Sequence, residues 1–76
     1  MKVEIYSKPD CPYCDMAKRL AEAKQFDFTV KMLDVDFTRE TLLENFPGAR
    51  TFPQIVVDGE KIGGFMEFKS KVDSIS

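Results

Sequence analysis

Cys11 and Cys14 are the residues of this 76-residue sequence best equipped for chemistry. They are its only cysteines, and it has no histidine. Two thiols at this spacing can exchange with another disulfide: one sulfur attacks and the other resolves the mixed disulfide. Three blander uses of such a pair fit poorly. A structural disulfide over so short a loop removes little entropy from the unfolded chain. A structural zinc ion takes four ligands, mostly Cys and His, so the chain would have to add two carboxylates or borrow from another copy. Inert core thiols do not suit a loop-to-helix junction with Pro12 and Tyr13 between them.

The elements that must position the pair can be read from periodicity. Val3 and Ile5 alternate with Lys2 and Glu4, which predicts a strand over about 2–6. Ser7-Lys8-Pro9-Asp10 reads as a loop. From Pro12 the pattern is helical, with Tyr13, Ala17, Leu20 and Ala21 on one face. Pro12 suits a first helical position, where its missing N–H is not needed. Cys11 is thus expected at the helix start and Cys14 one turn in. A helix start offers unpaired N–H groups and a partial positive charge. Cys11 is therefore expected to be held as a thiolate, a form that a free thiol reaches to only about 3 % at neutral pH. Lys8 adds positive charge nearby, while Asp10 and Asp15 oppose it. Cys14 is expected to be the more buried, which makes Cys11 the attacking sulfur and Cys14 the resolving one.

Downstream, Phe28, Val30 and Met32 predict a second strand. Asp36 or Thr38 can cap a second helix, with Leu42, Leu43 and Phe46 on its apolar side and Pro47-Gly48 ending it. Ile55-Val56-Val57 reads as a strand buried on both faces. Asp58-Gly59 is a hairpin turn leading to a fourth strand over about 60–63. Phe65, Phe68, Val72 and Ile75 recur at helical spacing. The order βαβαββα predicts a single α/β domain over residues 1–76, a four-stranded mixed sheet flanked by three helices. Crossover helices imply parallel pairing among the early strands, and the hairpin adds an antiparallel edge.

The net charge of −2 excludes a general nucleic-acid binder, which would be basic. The opening residues carry no apolar stretch of signal-peptide length, and nothing approaches a membrane span. A cytoplasmic, reducing setting is expected, where a cysteine pair is more often catalytic or metal-binding than structural. Cys-x-x-Cys after a strand and at a helix start is the pattern of a thioredoxin-like redox motif.

On these residues the sequence resembles glutaredoxins along nearly its whole length. Cys11-Pro12-Tyr13-Cys14 matches the dithiol form of that family, whereas thioredoxins typically carry Gly-Pro between the cysteines. Ser7-Lys8-Pro9-Asp10 is similar to the family's lead-in, Thr51-Phe52-Pro53 to its Thr-Val-Pro segment, and Gly63-Gly64 to its glycine pair. The resemblance implies a thioredoxin-like fold and thiol–disulfide oxidoreductase activity. It implies glutathione as reducing co-substrate, with no tightly bound cofactor and no metal. It also implies a cis bond before Pro53 and a glutathione site that includes Thr51, Phe52 and Pro53, with the Phe52 backbone pairing with the bound peptide. Gly64 would open the last helix, whose N–H groups hold the γ-glutamyl carboxylate. Of Phe65-Met66-Glu67, Met66 can offer only its backbone N–H, and Glu67 replaces the commoner aspartate as receiver of the glutathione amine. Tyr13 is implied beside the bound sulfur. Lys8 and Arg39 are candidates for the glycine carboxylate, with Arg50 a further one. Implied partners are disulfide-containing or glutathionylated proteins, ribonucleotide reductase among them, with the protein as a monomer and neither nucleic acid nor membrane involved. The departure at Phe65-Met66-Glu67 keeps open a glutaredoxin-like redoxin reduced by thioredoxin reductase. A second alternative is a module binding an iron–sulfur cluster between two copies, with glutathione completing the ligands.

Overall fold

Alternation carries β1 (Lys2–Ser7) one residue further than expected: Val3, Ile5 and Ser7 are all buried. Ser7 thus leaves the predicted loop and joins the strand. The computed structural model describes residues 1–49 and 51–75, so Arg50 and the Ile75 side chain lie outside the described residues. After β1 come α1 (Pro12–Ala23), β2 (Asp27–Met32), α2 (Arg39–Asn45), β3 (Gln54–Val57), β4 (Glu60–Gly63) and α3 (Phe65–Ile75). This is the predicted order. The four strands form one sheet in the order β2-β1-β3-β4. Among the described residues, no helix is long and apolar enough to cross a membrane.

The strand directions correct one expectation. β1 and β2 are parallel, but β3 is antiparallel to β1 as well as to β4. The reason lies in where the linking segment begins and ends. Met32 pairs with Ser7 as β2 finishes, and Gln54 pairs with Tyr6 as β3 starts. The chain therefore leaves and re-enters the sheet at the same end, so α2 does not act as a parallel crossover. Thr38 caps α2, its hydroxyl accepting the Thr41 N–H at 3.2 Å. Leu42 and Phe46 are buried, whereas Leu43 is 44 % exposed and does not share the apolar side predicted for it.

Each face of the sheet has its own core. Val3, Ile5, Ile55 and Val57 pack against Ala17 and Ala21 of α1 and Phe65, Phe68 and Val72 of α3. On the other face Val56 packs with Phe37, Leu42 and Phe46. There the Tyr6 ring meets Phe37 and Phe46 edge-on, with both ring centroids 5.2 Å away. β3 is buried at all four positions, as a β-branched run sandwiched by helices should be. Asp58 and Gly59 both take positive φ, 51° and 84°, the conformation that the hairpin turn demands.

Candidate active site

The loop after β1 delivers Cys11 to the start of α1. Cys11 is extended (φ −118°, ψ 99°) and serves as N-cap, with Pro12 following in the first turn. Its sulfur accepts the Cys14 backbone N–H at 3.2 Å. A donor of the helix start is thus aimed at Cys11 Sγ, where negative charge would sit on a thiolate. Cys11 and Cys14 are joined by a disulfide, with Cα atoms 5.2 Å apart. Their burial hardly differs, at 8 % and 5 % exposed. The expected difference between the two sulfurs therefore rests on this hydrogen bond and not on burial.

Immediately before β3, the peptide bond from Phe52 to Pro53 is cis. The segment is held from behind, because Gln54 Nε2 donates to the Thr51 carbonyl at 2.7 Å. Phe52 lies against Phe37, with ring centroids 6.4 Å apart, and Lys8 Nζ stands 5.9 Å from the Phe52 ring centroid. Gly63, at φ 111°, ends β4 in a conformation that favours glycine. The Glu67 side chain closes over it: a Cβ at Gly63 would lie 3.0 Å from Glu67 Oε1. Gly64 comes close to the cis turn, a Cβ there lying 3.5 Å from the Pro53 carbonyl oxygen.

These segments enclose a groove of about 280 Å³ lined by Tyr13, Thr51, Phe52, Pro53, Gly64, Phe65, Met66 and Glu67. Tyr13 sits between the cysteines in sequence and is 55 % exposed. Its ring centroid is 6.0 Å from that of Phe65, so a residue of the Cys11–Cys14 turn forms part of the groove wall. Met66 is exposed, while the Phe65 side chain also belongs to the core under α3. A larger hollow of about 600 Å³, between the end of α2 and the β3–β4 hairpin, shares Thr51, Gly64 and Glu67 with the groove. Arg39, the first residue of α2, lines neither. Among the described residues, no three His, Cys, Asp or Glu side chains come together as a metal site.

The glutaredoxin family model matches residues 3–62, which include the dithiol and the cis turn. The chain belongs to the glutaredoxin family. It is 39 % identical over 62 residues to glutaredoxin 3 of Escherichia coli K12, covering 82 % of this chain and 75 % of that one. Its structure is similar to that of glutaredoxin 1 from Francisella tularensis, with a TM-score of 0.80, 37 % identity and coverage of 97 % and 94 %. It is also similar to a buckwheat glutaredoxin solved in complex with glutathione, with a TM-score of 0.80, 26 % identity and coverage of 95 % and 68 %. The fold is therefore thioredoxin-like, and the activity is that of a thiol–disulfide oxidoreductase.

Of the residues singled out in the sequence, the glutaredoxin fold gathers eight around the groove, sets Lys8 against its Phe52 wall and leaves Arg39 apart. One residue that braces the groove wall carries no signal in the sequence. Gln54 shows no motif of its own, and its hold on Thr51 depends on the turn between them. Ser7 reads as loop by composition, whereas alternation with Ile5 points to the buried face of β1, where it lies.

Proposed function

We propose that this glutaredoxin is a glutathione-dependent reductant of protein disulfides and glutathione mixed disulfides. The observation that carries the reading is the groove that Tyr13, from between the two cysteines, lines together with the start of α3 and the cis-Pro53 turn. The free N–H groups of that helix start suit the γ-glutamyl carboxylate, and Glu67 suits the glutathione amine. Lys8 suits the glycine carboxylate from the Phe52 side. The glutathione-bound buckwheat relative supports the same reading.

In the reaction, the Cys11 thiolate attacks one sulfur of the substrate disulfide. The electron pair of the broken bond leaves on the other substrate sulfur. The Cys14 thiolate then attacks Cys11 Sγ, releases the second substrate thiol and leaves the Cys11–Cys14 disulfide. A glutathione thiolate opens this disulfide at Cys11. The thiolate of a second glutathione attacks the glutathione sulfur of this mixed disulfide, and the Cys11 thiolate leaves, giving glutathione disulfide and the dithiol. With a glutathionylated protein Cys11 alone suffices. The protein works as a monomer in the reducing cytoplasm, and its targets are disulfide-containing and glutathionylated proteins, ribonucleotide reductase among them.

Two serine substitutions test the assignment. Cys11→Ser is expected to abolish all turnover with glutathione and glutathione reductase. Cys14→Ser should keep deglutathionylation and lose protein disulfide reduction. Deglutathionylation by Cys11→Ser, or faster turnover with thioredoxin reductase than with glutathione, would contradict the proposal.

A further inference from the structure

Three lysines stand over rings of one aromatic cluster, on the sheet face that Leu42 of α2 covers. Lys31 Nζ lies 5.1 Å from the Tyr6 ring centroid, Lys61 Nζ 5.2 Å from that of Phe46, and Lys8 Nζ 5.9 Å from that of Phe52. The rings meet in turn: Tyr6 packs edge-on against Phe37 and Phe46, and Phe37 stacks on Phe52. Two of the cations already have partners. Lys31 donates to Glu4 Oε1, and Lys61 donates to the Asn45 carbonyl. Lys8 enters neither ion pair found among the described residues, Lys31–Glu4 and Lys69–Asp73. Of the three aromatic residues under the lysines, only Phe52 lines the groove between Tyr13, the cis turn and the start of α3. Its ring is a fixed surface, because Phe37 behind it is buried and Gln54 ties down the neighbouring Thr51 carbonyl.

We propose that Phe52 is a positioning residue: its ring holds the exposed Lys8 ammonium at the groove wall, where Lys8 takes the glycine carboxylate of a bound glutathione. The inference rests on the glutathione dependence proposed above. A lysine ammonium is a point charge on a flexible four-carbon stem, and a ligand that captures it bears the cost of ordering that stem. A ring face attracts the cation and narrows its range before the ligand arrives. The ring engages one side of the ammonium, which has three N–H donors and so keeps donors for a carboxylate. Phe52 thereby favours substrates that carry a carboxylate at this end over those that lack one.

The test has two readouts, and the first needs no ligand. Ring currents move the resonances of a group held over an aromatic face. By NMR the Lys8 side-chain methylene signals should lie upfield in the parent, and Phe52→Leu should return them to ordinary lysine positions. The second readout is the KM for a glutathionylated peptide. Phe52→Leu is expected to raise it about two- to fivefold, the worth of one exposed cation–ring contact. Phe52→Tyr keeps a ring and should raise it by less than about twofold. In a Lys8→Met background the leucine exchange should raise KM no further. With a peptide whose glutathione carries an amide in place of the glycine carboxylate, parent and Phe52→Leu should agree within about twofold. Unshifted Lys8 signals in the parent would overturn the proposal. So would a Phe52→Leu exchange that leaves KM unchanged or lowers it while Lys8→Met raises it, or one that raises it equally with and without Lys8. A Lys8→Met protein with the parent's KM would overturn both this inference and the place of Lys8 in the glutathione site.

Discussion

The Cys14 N–H donates to Cys11 Sγ across 3.2 Å, so each cysteine of the pair contributes a different group to the site. Cys14 gives its backbone N–H to the helix cap and is itself part of the buried stripe of α1, while Cys11 holds its sulfur where that N–H is aimed. Since burial does not separate them, this asymmetry predicts which thiol reacts first. After reduction, iodoacetamide at about neutral pH should label Cys11 about tenfold faster than Cys14, the factor expected of one hydrogen bond to a charged sulfur. Peptide mass spectrometry over a short time course reads the order directly. Equal labelling would mean that the hydrogen bond does not distinguish the sulfurs.

The glycine pair makes a second prediction, because its two members are glycine for different reasons. Gly63 has φ 111°, and a Cβ there would also crowd Glu67 Oε1 at 3.0 Å. Gly63→Ala is expected to cost about 1–3 kcal/mol. In a domain of this size each kcal/mol lowers the melting temperature by about 4–8 °C. A Cβ at Gly64 meets the Pro53 carbonyl oxygen at 3.5 Å, an ordinary contact. Gly64→Ala should therefore fold nearly as stably as the parent. Thermal melts followed by circular dichroism rank the two, and a larger loss in Gly64→Ala would reverse the argument.

What was legible in the sequence follows a physical divide. Alternation in Val3 and Ile5, helical spacing in Phe65, Phe68 and Val72, and the Asp58-Gly59 turn are local signals, and each element they mark is formed. The direction of β3 is not local. It depends on the segment after Met32 returning to the sheet end that it left, which no residue type in that segment announces. Leu43 has the same apolar character as Leu42, yet the short α2 has room to bury only a narrow stripe. The groove joins Tyr13, the turn at Thr51–Pro53 and the start of α3, and no spacing rule connects three such distant stretches. Family resemblance could propose that set, whereas the periodicities could not.

Glu67 carries a third prediction, on substrate capture. Its carboxylate folds over Gly63 and lines the groove beside the exposed Met66. If it receives the glutathione amine, Glu67→Gln removes one exposed ion pair, worth up to about 1 kcal/mol. The KM for a glutathione mixed disulfide should then rise by up to about fivefold with kcat nearly unchanged, the pattern of lost uniform binding. Steady-state kinetics with a glutathionylated peptide measure both. A fall in kcat at constant KM would instead assign Glu67 to the exchange step.

A last prediction concerns stability away from the site. Lys31 Nζ on β2 reaches Glu4 Oε1 on β1 at 3.0 Å and lies 5.1 Å from the Tyr6 ring centroid. The hydrogen bond to Glu4 raises the Lys31 pKa above its ordinary 10.5, outweighing the opposing effect of burial, and Tyr6 adds to the rise. A cation whose folded pKa is raised stabilises the fold fully below the unfolded pKa, and the contribution is lost as pH climbs through the folded value. Both side chains are about one-third exposed, at 34 % and 31 %, so solvent screening limits the pair to about 1 kcal/mol or less. Glu4→Gln should therefore lower the urea midpoint at about pH 8, and the gap from the parent should close once pH passes well above the lysine range, near about pH 12. Added salt should shrink the gap at about pH 8 as well. A gap that persists in strong alkali would show that Glu4 stabilises the sheet by packing and not by its charge.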